Sequence, residues 1–111
     1  MTAPPFVFNH RTGELQRGGR AITLCKLHSE MFGCLALASE DSPIGPGHIA
    51  RSTNMKLHDV PGELRHLARR LNLVSIKIGA SPRGRWLIFE DIPKWKPTIA
   101  PPAVLPGERG P

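Results

Sequence analysis

One amphipathic segment, residues 59–72, constrains the fold of this chain more than any other feature. Its aliphatic residues recur at the spacing of a single helix face: Val60, Leu64, Leu67 and Leu71. Asp59 occupies the expected N-cap position, and a proline such as Pro61 is tolerated in a first helical turn. At about 100° per residue, His66 and Arg69 fall near the centre of the opposite face, with Arg65 and Arg70 at its edges. The segment predicts a helix with one buried face and one basic face.

The residues before this helix predict a small antiparallel meander and a core helix. Phe6 to Phe8, Glu14 to Arg17 and Arg20 to Ile22 are strand candidates, separated by Thr12-Gly13 and Gly18-Gly19 turns. Thr23 is the expected cap of the helix that follows. Its predicted inward face contains Leu24, Leu27, Met31, Phe32, Cys34, Leu35 and Ala38, its polar face contains Lys26, Ser29, Glu30 and Gly33, and Leu37 is exposed.

A short helix and a hairpin complete the predicted elements. The proline- and glycine-containing loop from Ser42 to Gly47 precedes a helix candidate from His48 to Asn54, with Ile49 pointing inward. After the basic helix, Val74, Ile76 and Ile78 alternate with polar residues, and Trp86 to Phe89 forms a return strand. The predicted turn between them runs from Ala80 to Gly84. Because it includes Arg83, the tip of this hairpin is basic.

The chain has 111 residues, which is enough for one domain with one core. Half of its 12 prolines lie in residues 91–111, where no apolar periodicity is present. We therefore expect a domain over residues 1–90 and a Pro-rich, flexible tail over residues 91–111. Trp95 in this tail either docks back on the domain or is presented to a partner.

Positive charge is concentrated in one stretch of the sequence. The formal net charge is +6, and residues 56–85 account for +5 of it, since two acidic residues, Asp59 and Glu63, stand against seven basic ones. This balance favours a polyanionic partner. The seven basic residues are Lys56, Arg65, Arg69, Arg70, Lys77, Arg83 and Arg85.

The order of elements is that of an α+β winged helix-turn-helix domain: N-terminal antiparallel strands, three helices and a C-terminal β-hairpin wing. Residues 6–90 resemble the effector domain of OmpR/PhoB-type response regulators. The resemblance is carried by Val60, by the run from Leu64 to Leu71 and by the strands leading into Ile22-Thr23-Leu24. It implies that Arg65, His66 and Arg69 match the groove-facing residues, and that Arg83 and Arg85 match the wing contacts. Two stretches differ from the family pattern, His28-Ser29 and Gly84-Arg85-Trp86.

The leading hypothesis is a sequence-specific regulator of transcription, of bacterial or phage type, that binds double-stranded DNA. The recognition helix, residues 59–72, would enter the major groove, and the wing, residues 79–86, would contact the backbone or minor groove. Lys56 and Arg70 would hold phosphates, and Lys77 completes the predicted DNA-binding set. Since only five residues precede the first strand, we expect no receiver domain before it.

The alternative hypothesis is a winged-helix module for protein–protein interaction. In that case RNA polymerase or another regulator would bind the wing or the tail with Trp95. The salt dependence of binding distinguishes the two hypotheses. A protein that neutralises DNA phosphates loses affinity steeply as the salt concentration rises. The sequence leaves open whether the protein acts as a monomer or a homodimer.

Several classes of protein are not expected. The sequence has no phosphate loop, serine elbow or paired carboxylates, so we expect no enzyme and no cofactor. The five histidines and two cysteines show no zinc spacing, so no metal site is predicted. No apolar run reaches the ~18 residues of a membrane span, and the N-terminus lacks a signal peptide. We expect a cytoplasmic, nucleoid-associated protein with no membrane partner.

Overall fold

The computed structural model describes residues 6–92 and contains a three-stranded sheet, three helices and a hairpin. In chain order these are β1 (Val7–Asn9), β2 (Glu14–Arg17), β3 (Arg20–Thr23), α1 (Lys26–Leu35), α2 (Pro46–Thr53), α3 (Val60–Asn72), β4 (Lys77–Ser81) and β5 (Gly84–Ile88). A 3₁₀ turn, Leu57–Asp59, leads into α3. The predicted α+β class and element order are confirmed.

The N-terminal meander packs its inner face on α1. In the antiparallel register, Leu15 of β2 lies between Phe8 of β1 and Ile22 of β3. The Leu15 side chain is fully buried. The ring of Phe8 meets that of Phe32 in α1 edge to face, with centroids 4.8 Å apart. Such aromatic pairs add to the free energy gained by burial. This contact helps to hold the sheet against α1.

Helix α1 begins later than the predicted cap at Thr23, and this prediction was wrong. Thr23 still pairs with Glu14 in the sheet, and the Leu24 amide donates to the Gly13 carbonyl at 2.8 Å. Because the meander uses this backbone, Cys25 becomes the N-cap residue.

The placement of Ser29 on the polar face of α1 was also wrong. Its side chain is buried, and its hydroxyl donates to the Leu24 carbonyl at 3.4 Å. The turn before β2 lies over this side of the helix, with Gly13 packed close to Ser29. Leu37, which follows α1, is exposed as predicted.

Helices α2 and α3 complete the core. Helix α2 starts two residues before the predicted His48, because Pro46 fits the first helical position. It ends at Thr53, and the left-handed backbone of Asn54 caps the helix. Ile49 is fully buried, as predicted. In α3, the predicted buried residues Val60, Leu64, Leu67 and Leu71 all face the core.

Helix α3 begins after Asp59, which occupies the predicted N-cap position. The Asp59 side chain makes no capping hydrogen bond. Its carboxylate lies 3.4 Å from His58 Nε2 instead. The position of the helix start was therefore predicted, and the capping interaction was not formed.

The prediction that the first strand of the hairpin starts at Val74 was wrong, because the amides of Val74 and Ile76 still donate to the Leu71 carbonyl at the end of α3. The strand starts at Lys77, and the tip of the hairpin is tighter than predicted. Strands β4 and β5 pair from Lys77 opposite Ile88 to Ser81 opposite Gly84, so Pro82 and Arg83 alone form the turn. Ile44, in the loop before α2, also pairs with Arg85 through two backbone hydrogen bonds of 2.8 and 2.9 Å. This bridge holds the hairpin against the helices.

The last described residues contact the rest of the fold. Arg17 forms an ion pair with Asp91, and Ile92 packs against the edge of the core. The prediction for Trp95 concerns residues outside the described range. Within residues 6–92 the longest helix has 13 residues, and no helix is suited to cross a membrane.

Candidate nucleic-acid interface

The outer face of α3 carries the basic residues that the sequence predicted there. Its opposite face is buried in the core, which fixes the rotation of the helix. Arg65, His66 and Arg69 are exposed, and 60% of the His66 side chain is accessible. The predicted separation of a buried and a basic face is present. The helix offers three exposed side chains with hydrogen-bond donors in a little more than one turn.

The hairpin flanks α3 on one side. Arg65 and Ala68 of α3 line a shallow cleft of about 230 Å³ with Ile78, Ala80 and Arg85 of the hairpin. The structure therefore brings Arg65 and Arg85, which are 20 positions apart in the chain, to one cleft. The basic surface continues from α3 onto the hairpin.

The two hairpin arginines have different surroundings. Arg83, at the tip, is exposed, and its Nη2 donates to the Asp41 carbonyl at 3.3 Å. Arg85 is half-buried, and its Nη1 lies 3.4 Å and 3.3 Å from the carbonyl oxygens of Ser81 and Gly84. Both guanidinium groups donate to backbone carbonyls, and Arg83 is the more exposed of the two.

Two further predicted contacts lie away from the centre of this surface. Lys56 is exposed just before the 3₁₀ turn that leads into α3. Lys77 forms an ion pair with Glu90 at the open end of the hairpin, opposite the tip. Contact of either residue with DNA stays a prediction.

Glu63, in the first turn of α3, faces two histidines. Its Oε1 atom lies 3.0 Å from Nε2 of His28 in α1 and 3.7 Å from Nδ1 of His66. A carboxylate only accepts hydrogen bonds, so the imidazole of His28 is the donor. This hydrogen bond lowers the pKa of the Glu63 carboxyl, with a smaller lowering from His66, while partial burial opposes the shift. The carboxylate therefore links α1 to α3.

The arginines around this surface keep their charge available. Among residues 6–92, the lysine and arginine ion pairs are Arg17 with Asp91 and Lys77 with Glu90. No described carboxylate pairs with Arg65, Arg69 or Arg83 within 4.0 Å. Among the described residues, the arginines of this surface are therefore not neutralised by an ion pair.

The sequence interpretation missed a second flank of α3, formed by β3 and the start of α1. Arg70 Nη2 donates to the Thr23 carbonyl at 2.9 Å, and Arg20 Nη1 donates to the Leu73 carbonyl at 3.5 Å. The residues in these pairs are 47 and 53 positions apart, so no local pattern indicates them.

The described residues form no metal centre. Residues 6–92 contain no group of three or more His, Cys, Asp or Glu side chains that could hold a metal ion.

Comparison with known proteins finds a structural match. No protein-family model matches the chain, and no curated sequence matches it. The structure is similar to the DNA-binding domain of Escherichia coli CadC, with a TM-score of 0.61 at 17% sequence identity. The match covers 77% of this chain and 87% of that one. Element order and this likeness together show that the chain has the winged helix-turn-helix fold seen in OmpR/PhoB-type effector domains.

Proposed function

We propose that this protein is a sequence-specific regulator of transcription that binds double-stranded DNA. The observation that carries the proposal is the exposed row of Arg65, His66 and Arg69 on α3, in which neither arginine forms an ion pair with a carboxylate of residues 6–92. A helix of about 10–12 Å diameter matches the major groove of B-DNA. Arginine in that groove recognises guanine through two hydrogen bonds, which gives sequence discrimination.

The proposed recognition helix is α3, and the proposed wing is the β4–β5 hairpin. Arg83 at the hairpin tip would contact the backbone or the minor groove, with Arg85 beside it. Lys56, Arg70 and Lys77 are proposed phosphate contacts, which position a protein on DNA without reading sequence. That the CadC domain of the same fold is a DNA-binding domain supports the proposal. The proposal implies a cytoplasmic, nucleoid-associated protein.

Selection from a randomised pool of duplex DNA tests the proposed function directly. The full chain is incubated with the pool at about physiological salt, where specific sites are typically bound 10³ to 10⁷ times more tightly than non-specific ones. We expect an enriched motif. A folded protein that enriches no motif would contradict sequence-specific binding, and would favour the interaction module that binds RNA polymerase or another regulator.

Arg69→Ala tests the assignment of the recognition helix. If Arg69 contacts a guanine with two hydrogen bonds, the substitution should weaken binding to the enriched motif by about 1–3 kcal/mol and relax specificity at one base pair. Fluorescence anisotropy with the enriched duplex and single-base variants measures both effects. Arg11→Ala is the matched control. This substitution removes the same charge from an exposed residue in the turn between β1 and β2. Equal affinities of the two variants for every duplex would refute the role of Arg69.

A further inference from the structure

Residues 20–28 run antiparallel along one side of α3. Arg20, at the start of β3, bonds to Leu73 just beyond the end of α3. Thr23, at the end of β3, bonds to Arg70 in the last turn of α3, and His28 in α1 bonds to Glu63 in its first turn. These contacts follow α3 from its C-terminus to its N-terminus. The segment is therefore fixed beside the proposed recognition helix along its whole length.

Arg20 and Arg70 connect β3 and α3 in both directions, because each donates a hydrogen bond to the backbone of the other's segment. The guanidinium of Arg70 in α3 donates to a carbonyl of β3, and the guanidinium of Arg20 in β3 donates to the carbonyl that follows α3. Both residues are exposed, and neither pairs with a carboxylate among residues 6–92. Each guanidinium has five N–H donors and uses one nitrogen for the carbonyl. The remaining donors are held near α3 and stay open to solvent.

This flank lies opposite the hairpin. At about 100° per residue, Glu63 and Arg70 point about 140–160° away from Arg65 and Ala68, which face the hairpin cleft. The major groove is about 12 Å wide, so a helix inside it has a phosphate backbone close to each of its flanks. The hairpin arginines lie on the side of α3 that would face one of these phosphate backbones. Arg20 and Arg70 lie on the side that would face the other.

We propose that Arg20 and Arg70 form a phosphate clamp for the DNA strand on the β3 side of α3. Guanidinium groups form strong, often bidentate hydrogen bonds with phosphate oxygens, and their carbonyl anchors limit the conformational entropy lost on binding. The clamp extends the proposed DNA interface from α3 and the hairpin onto the N-terminal sheet. It rests on the proposed function, since it requires α3 to lie in the major groove.

The test compares Arg20→Gln with Arg11→Gln, which removes the same charge from the β1–β2 turn. Affinity of the full chain for the enriched duplex and for an unrelated duplex is measured across a salt series. Loss of one phosphate contact makes the slope of log affinity against log salt less steep by about 0.9. We expect this change for Arg20→Gln on both duplexes, because phosphate contacts carry no sequence information. Arg11→Gln should keep the wild-type slope.

The outcomes separate the clamp from the function on which it rests. Wild-type binding with the same slope in wild type and Arg20→Gln overturns the clamp alone. Absence of duplex binding by the wild type overturns both. Ethylation interference with the wild-type protein gives a measurement that needs no folded variant. We expect ethylation of phosphates on both strands beside the major groove that holds α3 to impair binding. Interference from the phosphates of one strand alone would overturn the clamp.

Discussion

Glu63 is one of two acidic residues in the basic stretch 56–85, and its contacts explain why it does not neutralise the arginines of α3. Its carboxylate faces His28 and His66. The Glu63 side chain is 31% exposed and that of His28 is 13% exposed, so water screens this hydrogen bond in part. Sequence patterning predicted the exposed basic residues of α3. It did not predict His28 as the partner of Glu63, because the contact joins two helices.

The lowered pKa of Glu63 makes the free energy of unfolding depend on pH. A carboxyl whose pKa is lower in the folded state stabilises the protein above its unfolded-state pKa, roughly 4.3 for glutamate. This contribution is lost as pH falls through the lowered folded-state pKa. We expect Glu63→Gln to reduce thermal stability at neutral pH, and the difference from wild type to shrink in acid.

Thermal unfolding followed by circular dichroism across an acid-to-neutral pH series measures this dependence. Glu30→Gln serves as the control, because Glu30 is an exposed glutamate on α1. A stability difference for Glu63→Gln that stays constant from neutral pH to below the carboxyl pKa would show that the lost hydrogen bond does not depend on the charge of Glu63.

At the scale of elements, one cross-strand pair of the hairpin requires a glycine. Gly79 of β4 lies opposite Trp86 of β5, and a Cβ atom at Gly79 would overlap the indole ring. The ring therefore lies over the glycine, and this packing requires the absence of a side chain at position 79. The alternation of apolar residues predicted two paired strands. The bridge to Ile44 involves the loop before α2, which this alternation does not describe.

Gly79→Ala should destabilise the protein by about 1–3 kcal/mol, because the Trp86 ring must leave its position to make room. Gly33→Ala is a contrasting change: Gly33 lies within α1, where an added Cβ would meet no atom within 4 Å. Alanine at that position should stabilise the protein by about 0.5–1 kcal/mol. Urea unfolding measures the change in the free energy of unfolding for both variants. We expect changes of opposite sign, and equal changes would contradict the packing of Trp86 over Gly79.

At the scale of the whole molecule, one core joins the meander, the three helices and the hairpin. The core contains buried residues from distant parts of the chain: Leu15 of β2, Phe32 of α1, Leu67 of α3 and Phe89 just after β5. The proposed DNA interface depends on this core, because α3 is positioned by its buried face. Loss of core packing should therefore affect every part of the surface together.

Leu67→Ala should lower the free energy of unfolding by about 2–5 kcal/mol, since Leu67 is fully buried. Leu37→Ala removes the same atoms from a residue that is 69% exposed. That change should fall within about 0.5 kcal/mol of wild type. Urea unfolding of the two variants checks the prediction. A similar loss for Leu37→Ala would mean that Leu37 is covered in solution.

The sequence by itself determined the order and type of the elements, the four buried residues of α3 and the basic residues on its other face. These depend on periodicity within one segment, and helix geometry converts spacing into faces. The tertiary structure decided where α1 begins, why Ser29 is buried, and how Arg20, Arg70, His28 and Glu63 meet along α3. Those contacts join residues 35 or more positions apart, and such partners are set by how the elements pack and not by any local pattern.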